Sequence, residues 1–551
     1  AQRNVMTDAD VVVRPEHAPI IVACPLRRPP AERGRPALQF PPMLARLHSM
    51  ALHGIDARPC EVEVDVTGRG FGLPTIVGVP DSAVKESVDR IRSALVNSGF
   101  FPPRTKTTIN LAPADVKKEG PAYDLPIALG MLLADDQLRS EQADEYLVAG
   151  ELALDGRVRP TRGALCMALL CRENGRRRLI VPRENAEEAA VVAGVEVYGV
   201  SSLTEAAGLL SGELPLDATR VDLDALFDVA SRYDVDFSDV RGQEQVKRGL
   251  LIAAAGRHNV LMVGPPGSGK TMLAKRLPTI LPPMSLLEAL ETTRIYSAAG
   301  QLKGTRSLIA VRPVRQPHHS TSVPAVVGGG TVPSAGEVSL AHHGVLFLDE
   351  FPEFPRAVLE SLRQVMEDGA VTVARAHSAV RFPADFLLLA AMNPCPCGYF
   401  TDPRRPCKCS APQIDRYLAR ISGPLLDRID IHLEVPAVPI GELRDTRPGT
   451  ASADLRQLVI RAWEVQRERF GPQSTLTNAR MTPRLLRQCA VLDEAGERML
   501  RQAVSELGLS ARAHDKVLRV ARTIADLGGT RAIEPQHVAE AIQYRRLDRN
   551  L

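Results

Sequence analysis

Residues 259–277 read NVLMVGPPGSGKTMLAKRL. An apolar run turns into a glycine-rich loop, and the loop into a helical pattern. The loop matches G-x-x-x-x-G-K-[ST] at Gly264, Gly269, Lys270 and Thr271, with Pro265, Pro266, Gly267 and Ser268 between. Glycines let such a loop wrap tightly enough for its N–H groups to converge on phosphate oxygens. Lys270 then reaches the β- and γ-phosphates, and the Thr271 hydroxyl ligates Mg²⁺. Strand, loop and helix stand in the order this chemistry needs. The expected ligands are therefore ATP and Mg²⁺, and the expected fold is α/β with a parallel sheet.

About eighty residues on, HHGVLFLDEF (342–351) is an apolar strand ending in Asp349 and Glu350. Asp349 can hold Mg²⁺ through water, and Glu350 can polarise the attacking water. A third apolar strand, FLLLAAMNPC (386–395), ends in Asn393, which can orient that water. GPLLDRIDIHLEV (423–435) supplies Arg428, a group able to stabilise phosphoryl charge. Taken alone, Asn393 also reads as a strand end and Arg428 as a surface ion-pair partner.

The 551 residues exceed what one core can organise, and three or four domains are expected. A 44% hydrophobic, 24% charged composition with net charge +3 is that of an ordinary globular protein. A near-neutral total leaves local basic surfaces open. Aromatics are 4% with one tryptophan, Trp463, which argues against extensive base stacking. No apolar run is long enough to span a bilayer, and no secretory leader is legible. Nine cysteines, four packed into one short window and five scattered, read as those of a cytoplasmic protein with a metal site, not a disulfide framework.

Arg and Pro punctuate residues 1–42, which reads as a disordered tail with Met43 as a natural start. Residues 43–213 alternate strand and helix signals, for example CEVEVDVTG (60–68) and DLPIALGMLLA (124–134). Residues 214–234 read as a linker, 235–437 as a second α/β block, 438–451 as another linker, and 452–551 as helical. Within the second block, CPCGYFTDPRRPCKC pairs Cys395 with Cys397 and Cys407 with Cys409. Four thiols so spaced can surround one tetrahedral Zn²⁺. Reduced or redox-active thiols and an Fe–S cluster are the alternatives.

Together these motifs resemble the AAA+ superfamily and, more narrowly, the Mg-chelatase-like family called ComM or YifB. NLAPADVKKEGPAYDLPIALG (110–130), PSAGEVSLAHHGVLFLDEFPEF (333–354), AAMNPCPCGY (390–399) and SGPLLDRIDIHLEV (422–435) carry the resemblance, which spans about residues 43–551. It implies a homo-oligomeric ring, a hexamer, with ATP between subunits. Asn393 would be the sensor-1 residue and Arg428 an arginine finger donated in trans. Arg512, with Arg519 as second choice, would be the sensor-2 arginine in a helical C-terminal lid. Family members are described as DNA helicases that drive branch migration when transforming DNA is integrated. Single-stranded or branched DNA and recombination proteins are the implied partners. An ATP-driven remodeller of a protein partner, like chelatase subunit I, is the rival.

The first α/β domain also resembles the Lon protease domain. Lon enzymes carry a Ser-Lys dyad, the serine following Gly-Pro. This chain has Gly120-Pro121-Ala122, and Met167 stands near the lysine position. With neither nucleophile nor base, no peptidase activity is expected. Two basic stretches, AVRPVRQPHHS (310–320) and AVTVARAHSAVRF (370–382), read as hairpins able to touch DNA phosphates through Arg312, Arg315, Arg375 and Arg381. A solvated face or ion pairs would explain the same residues.

Overall fold

The computed structural model describes residues 43–545, apart from 68–71, 231–232, 303–306, 331–332, 376–377, 401, 403–404, 439–448 and 472–473. The expected disordered tail, and most of the linker expected at 438–451, lie outside the described residues.

The N-terminal sheet has seven strands, in the order Thr75–Val77, Thr107–Ala112, Asp56–Val66, Met43–His53, Tyr146–Val148, Arg178–Pro182, Glu196–Val200. Asp56–Val66 shows the alternation its sequence foretells: Cys60, Val62 and Val64 are buried, and Glu61, Glu63 and Asp65 between and after them are half-exposed. Met43–His53 pairs with it along its full length as an antiparallel hairpin. Its apolar residues follow no clean period, so pattern reading does not mark it. Asp81 caps the helix Ser82–Asn97 by accepting from the Val84 N–H over 2.8 Å. Asp124–Ala134 is buried all round and sits on the sheet.

The stretch expected as a linker at 214–234 carries a helix, Leu223–Ala230. Leu223, Leu226 and Phe227 pack against the first domain at helical spacing.

The second sheet is wholly parallel, in the order Val314–Arg315, Val345–Leu348, Leu387–Met392, Val260–Val263, Ile431–Glu434. Its inner strands are buried on both faces, which their unbroken apolar runs require. The third motif strand, Leu387–Met392, lies between the other two, Val345–Leu348 and Val260–Val263. Residues 310–320, expected as a hairpin, instead contribute the edge strand Val314–Arg315 of this sheet. Residues 370–383 do form a hairpin, Ala370–Arg375 against Ser378–Pro383. Its inward Val371, Val373, Val380 and Phe382 join one cluster with Ile55, at the tip of the N-terminal hairpin.

The C-terminal helices Ser452–Phe470, Pro483–Cys489, Glu494–Leu507, Ala511–Leu527 and Pro535–Gln543 share a core with the parallel sheet. Trp463 fills this junction, and its indole N–H donates to Ala254 O over 3.1 Å. Burying the ring without that partner would leave a donor unsatisfied.

Candidate functional site

Gly264, Asp349 and Asn393 each follow the last residue of one of three adjacent parallel strands. Parallel strands point their C-terminal ends the same way, so residues far apart in sequence converge in one crevice. In the loop, Gly267 and Gly269 have φ of 78° and 91°, which favours glycine. Gly264 answers a different need: a Cβ there would come within 2.2 Å of Val435 O. Gln243 braces the loop from outside, donating to Ser268 O over 2.8 Å and to Pro436 O over 2.9 Å.

Lys270 opens the helix Lys270–Ile280. Its Nζ donates to Gly264 O at 2.7 Å, Pro265 O at 2.9 Å and Asn393 Oδ1 at 3.2 Å. Burial lowers its ammonium from the ordinary lysine value, and Asp349 opposes that shift. Thr271 Oγ1 donates to Asp349 Oδ2 over 2.8 Å. Hydroxyl and carboxylate thus face each other as a hard-cation pair requires. The Ser268 hydroxyl is buried with no hydrogen-bond partner. An ammonium, an orphan hydroxyl and a Thr/Asp pair around a tight glycine loop are a donor set that fits a Mg²⁺–triphosphate.

Glu350 has φ of 53°, left-handed for a non-glycine residue, and its backbone N–H donates to Asp349 Oδ1 over 3.0 Å. Its carboxylate meets His319 Nδ1 at 3.0 Å. The contact with Glu350 depends on a loop meeting a strand end, so the sequence alone does not show it. Gln243 was likewise invisible, since its partners are backbone carbonyls distant in sequence.

Arg428 sits elsewhere. Asp430 and Ile431 both donate to Asn259 O over 3.0 Å, so Arg428 lies beside the beginning of the strand Val260–Val263, whereas the glycine loop lies beyond its end. That strand is about 13 Å long at 3.3 Å per residue. Arg428 is 8% exposed, paired with Glu367, and its Nε is buried without a partner. Arg512 and Arg519 line the same cavity of about 320 Å³, where Arg257, Arg480 and Lys516 stand beside the carboxylates of Glu367, Asp427, Asp430 and Asp515. The Arg519 Nε too is buried without a partner.

Two of the four candidate DNA contacts need correction. Arg312 is 3% exposed, and its guanidinium is committed to Glu288 at 3.1 Å and to Pro282 O and His343 O. It also lies over the Trp463 ring. A strand phosphate cannot reach it. Arg315 is half-buried in a two-pronged pair with Glu337, at 2.6 and 2.7 Å. Arg381 is exposed on the outer face of its hairpin, and the Arg375 side chain lies outside the described residues.

The four cysteines gather. Sγ separations are 3.4 Å for Cys395–Cys397, 3.7 Å for Cys395–Cys407 and 3.6 Å for Cys397–Cys407, and Cys409 completes the group. These are far longer than a disulfide. Backbone N–H groups of Lys408 and Tyr399 hold the Cys397 thiol down to about 6.

Ala122 lies on a short 3₁₀ turn, Pro121–Tyr123, and Met167 is buried in the helix Ala164–Glu173. Neither supplies a nucleophile or a base.

The description "Magnesium chelatase, subunit ChlI" matches residues 236–443, "Subunit ChlI of Mg-chelatase" matches 62–185, and "Magnesium chelatase, subunit ChlI C-terminal" matches 449–545. The chain is 44% identical over 511 residues to the competence protein ComM of Haemophilus influenzae, covering 92% of this chain and 98% of that one. The chain belongs to the ComM/YifB family of Mg-chelatase-like AAA+ ATPases. The YifB protein of Escherichia coli, itself uncharacterised, is 44% identical over 509 residues, with the same coverage. More distantly, this ComM/YifB member is 26% identical over 322 residues to the magnesium-chelatase 38 kDa subunit of Rhodobacter capsulatus, covering 55% of this chain and 84% of that one. Among the described residues no helix is long and apolar enough to cross a membrane.

Proposed function

We propose that this chain is the subunit of an ATP-hydrolysing ring, a hexamer, that moves DNA as a branch-migration helicase during recombination of incoming DNA. The observation that carries the ring is the separation of Arg428 from the glycine loop by the length of a strand. A cis arginine finger would have to cross that distance. A neighbour whose glycine loop faces the Arg428 cavity needs no such crossing, and Arg428, Arg512 and Arg519 line that cavity together.

In this reading Gly264 to Thr271 hold the triphosphate, and Thr271 and Asp349 hold Mg²⁺. Mg²⁺ bound there would supply neutralising charge to the phosphates. Glu350 takes the proton of the attacking water, Asn393 orients that water, and Arg428 with Arg512 stabilises transferring charge from the adjacent subunit. The likeness to ComM supports DNA as the substrate, and exposed Arg381 is the contact retained. The first domain, Lon-like and without a dyad, serves ring assembly or partner binding.

A specific observation favours the rival, an ATP-driven remodeller of a protein partner. Arg312 and Arg315 are committed to internal ion pairs and leave little basic surface on their stretch. ATPase and branch-migration assays of the wild type beside Glu350→Gln decide between them. The motor reading expects DNA-stimulated turnover and branch migration, with Glu350→Gln binding ATP, forming rings and moving nothing. A ring whose turnover ignores single-stranded, duplex and branched DNA sinks it.

A further inference from the structure

The cysteine cluster is built onto the nucleotide site. Cys395 follows Asn393 by two residues. At Gly398, where φ is 84°, the turn lies so close to the glycine loop that a Cβ would come within 2.6 Å of Pro266 Cδ and 3.8 Å of Asn393 Cγ. Beyond it, Tyr399, Asp402 and Arg405 face Val240, Gly269 and Met272 across a cavity of about 550 Å³. This cavity adjoins the phosphate loop, since Gly267, Ser268 and Gly269 line it too. The Arg405 guanidinium lies 5.3 Å from the centre of the Tyr399 ring and donates to its hydroxyl over 3.0 Å.

The described part of 393–410 contains no helix or strand, so no backbone ladder holds this wall. The cysteines bracket it. A tetrahedral zinc with Zn–S of about 2.3 Å requires Sγ separations of about 3.8 Å, and three of the observed separations are 3.4 to 3.7 Å. The Phe400 N–H points at Cys395 Sγ over 3.3 Å and the Cys409 N–H at Cys407 Sγ over 3.4 Å, the backbone support a metal thiolate uses.

We propose that Cys395, Cys397, Cys407 and Cys409 hold a structural Zn²⁺, and that this ion sets nucleotide affinity by fixing Tyr399 and Arg405 as one wall of the nucleotide pocket. The coupling half rests on the ATP-site reading above; the metal half does not. Zinc here touches no phosphate and takes no part in hydrolysis. It acts on ground-state binding, so its loss raises KM and leaves kcat at saturating ATP within a few-fold.

The test uses the full chain. Metal analysis of the wild type is expected to give one zinc per chain, and Cys407→Ser/Cys409→Ser none. Binding of a fluorescent ATP analogue is expected to weaken about tenfold in that double variant. Arg405→Ala leaves all four thiols in place. It is expected to keep its zinc and still bind the analogue several-fold more weakly, which separates the wall from misfolding. Absence of zinc, or the visible absorption of an iron–sulfur cluster, overturns the metal. Zinc present with affinity unchanged in both variants overturns the coupling. A zinc-loaded wild type that binds no nucleotide, and matches Lys270→Ala in this, overturns the ATP site and the coupling together, while the zinc content still stands.

Discussion

Lys270 Nζ lies 3.2 Å from Asn393 Oδ1, joining the first turn of one helix to the end of the neighbouring strand. The two residues are 123 positions apart in sequence. The contact ties Asn393 to the lysine of the glycine loop, which is why the proposed mechanism gives it a role beyond ending a strand. Asn393→Ala is expected to lower turnover about 10²-fold, the usual cost of losing one preorganised polar group, with ATP affinity changed only a few-fold. Lys270→Ala is expected to lose nucleotide binding itself. Titration with a fluorescent ATP analogue, beside steady-state turnover, separates the two.

Mixing tests the trans role of Arg428. Arg428→Ala and Lys270→Ala are each expected to be inactive as pure rings. Random co-assembly in equal amounts makes about a quarter of the interfaces intact in a heterologous ring. Activity should therefore reappear on mixing. If the mixture stays as inactive as its parents, the arginine is not donated between subunits.

The Arg312–Glu288 pair sets an acid limit on stability. Burial alone would push the Glu288 carboxyl up, but the Arg312 guanidinium and the Ser285 N–H more than offset it and hold it down to about 2, from an ordinary 4.5. A depressed carboxyl value means stability present above about pH 4.5 and lost as pH falls toward 2, about 3 kcal/mol in all. Glu288→Gln should flatten this acid dependence. It should also cost about 3–5 kcal/mol at neutral pH, because Arg312 is left buried and unpaired. Chemical denaturation across that pH range reads both effects.

Gly264→Ala probes the cradle. The added methyl overlaps Val435 O, at 2.2 Å, so the loop must shift. Overpacking of this kind costs about 1–3 kcal/mol, which corresponds to roughly five- to 150-fold in nucleotide affinity if the loop bears it. Unchanged affinity, measured by calorimetry, would mean that the loop tolerates displacement.

What the sequence determined by itself is local. The glycine loop, the Asp349-Glu350 pair and the paired cysteines each fit inside one short segment, where spacing dictates which groups can converge. Apolar runs likewise identified the buried strands, because a strand covered on both faces must be apolar throughout. Tertiary structure decided what depends on partners distant in the chain. Strand order brought Asn393 beside Lys270 and set Arg428 at the opposite end of the sheet from the glycine loop. Burial turned Arg312 from a candidate DNA contact into an ion-pair anchor for Glu288. The same long-range packing joined His319 to Glu350, Gln243 to the loop carbonyls and Gly398 to Pro266. Charge and residue type are readable one position at a time. Whether an arginine meets solvent, a carboxylate or a phosphate is settled only by which surfaces the chain folds against one another.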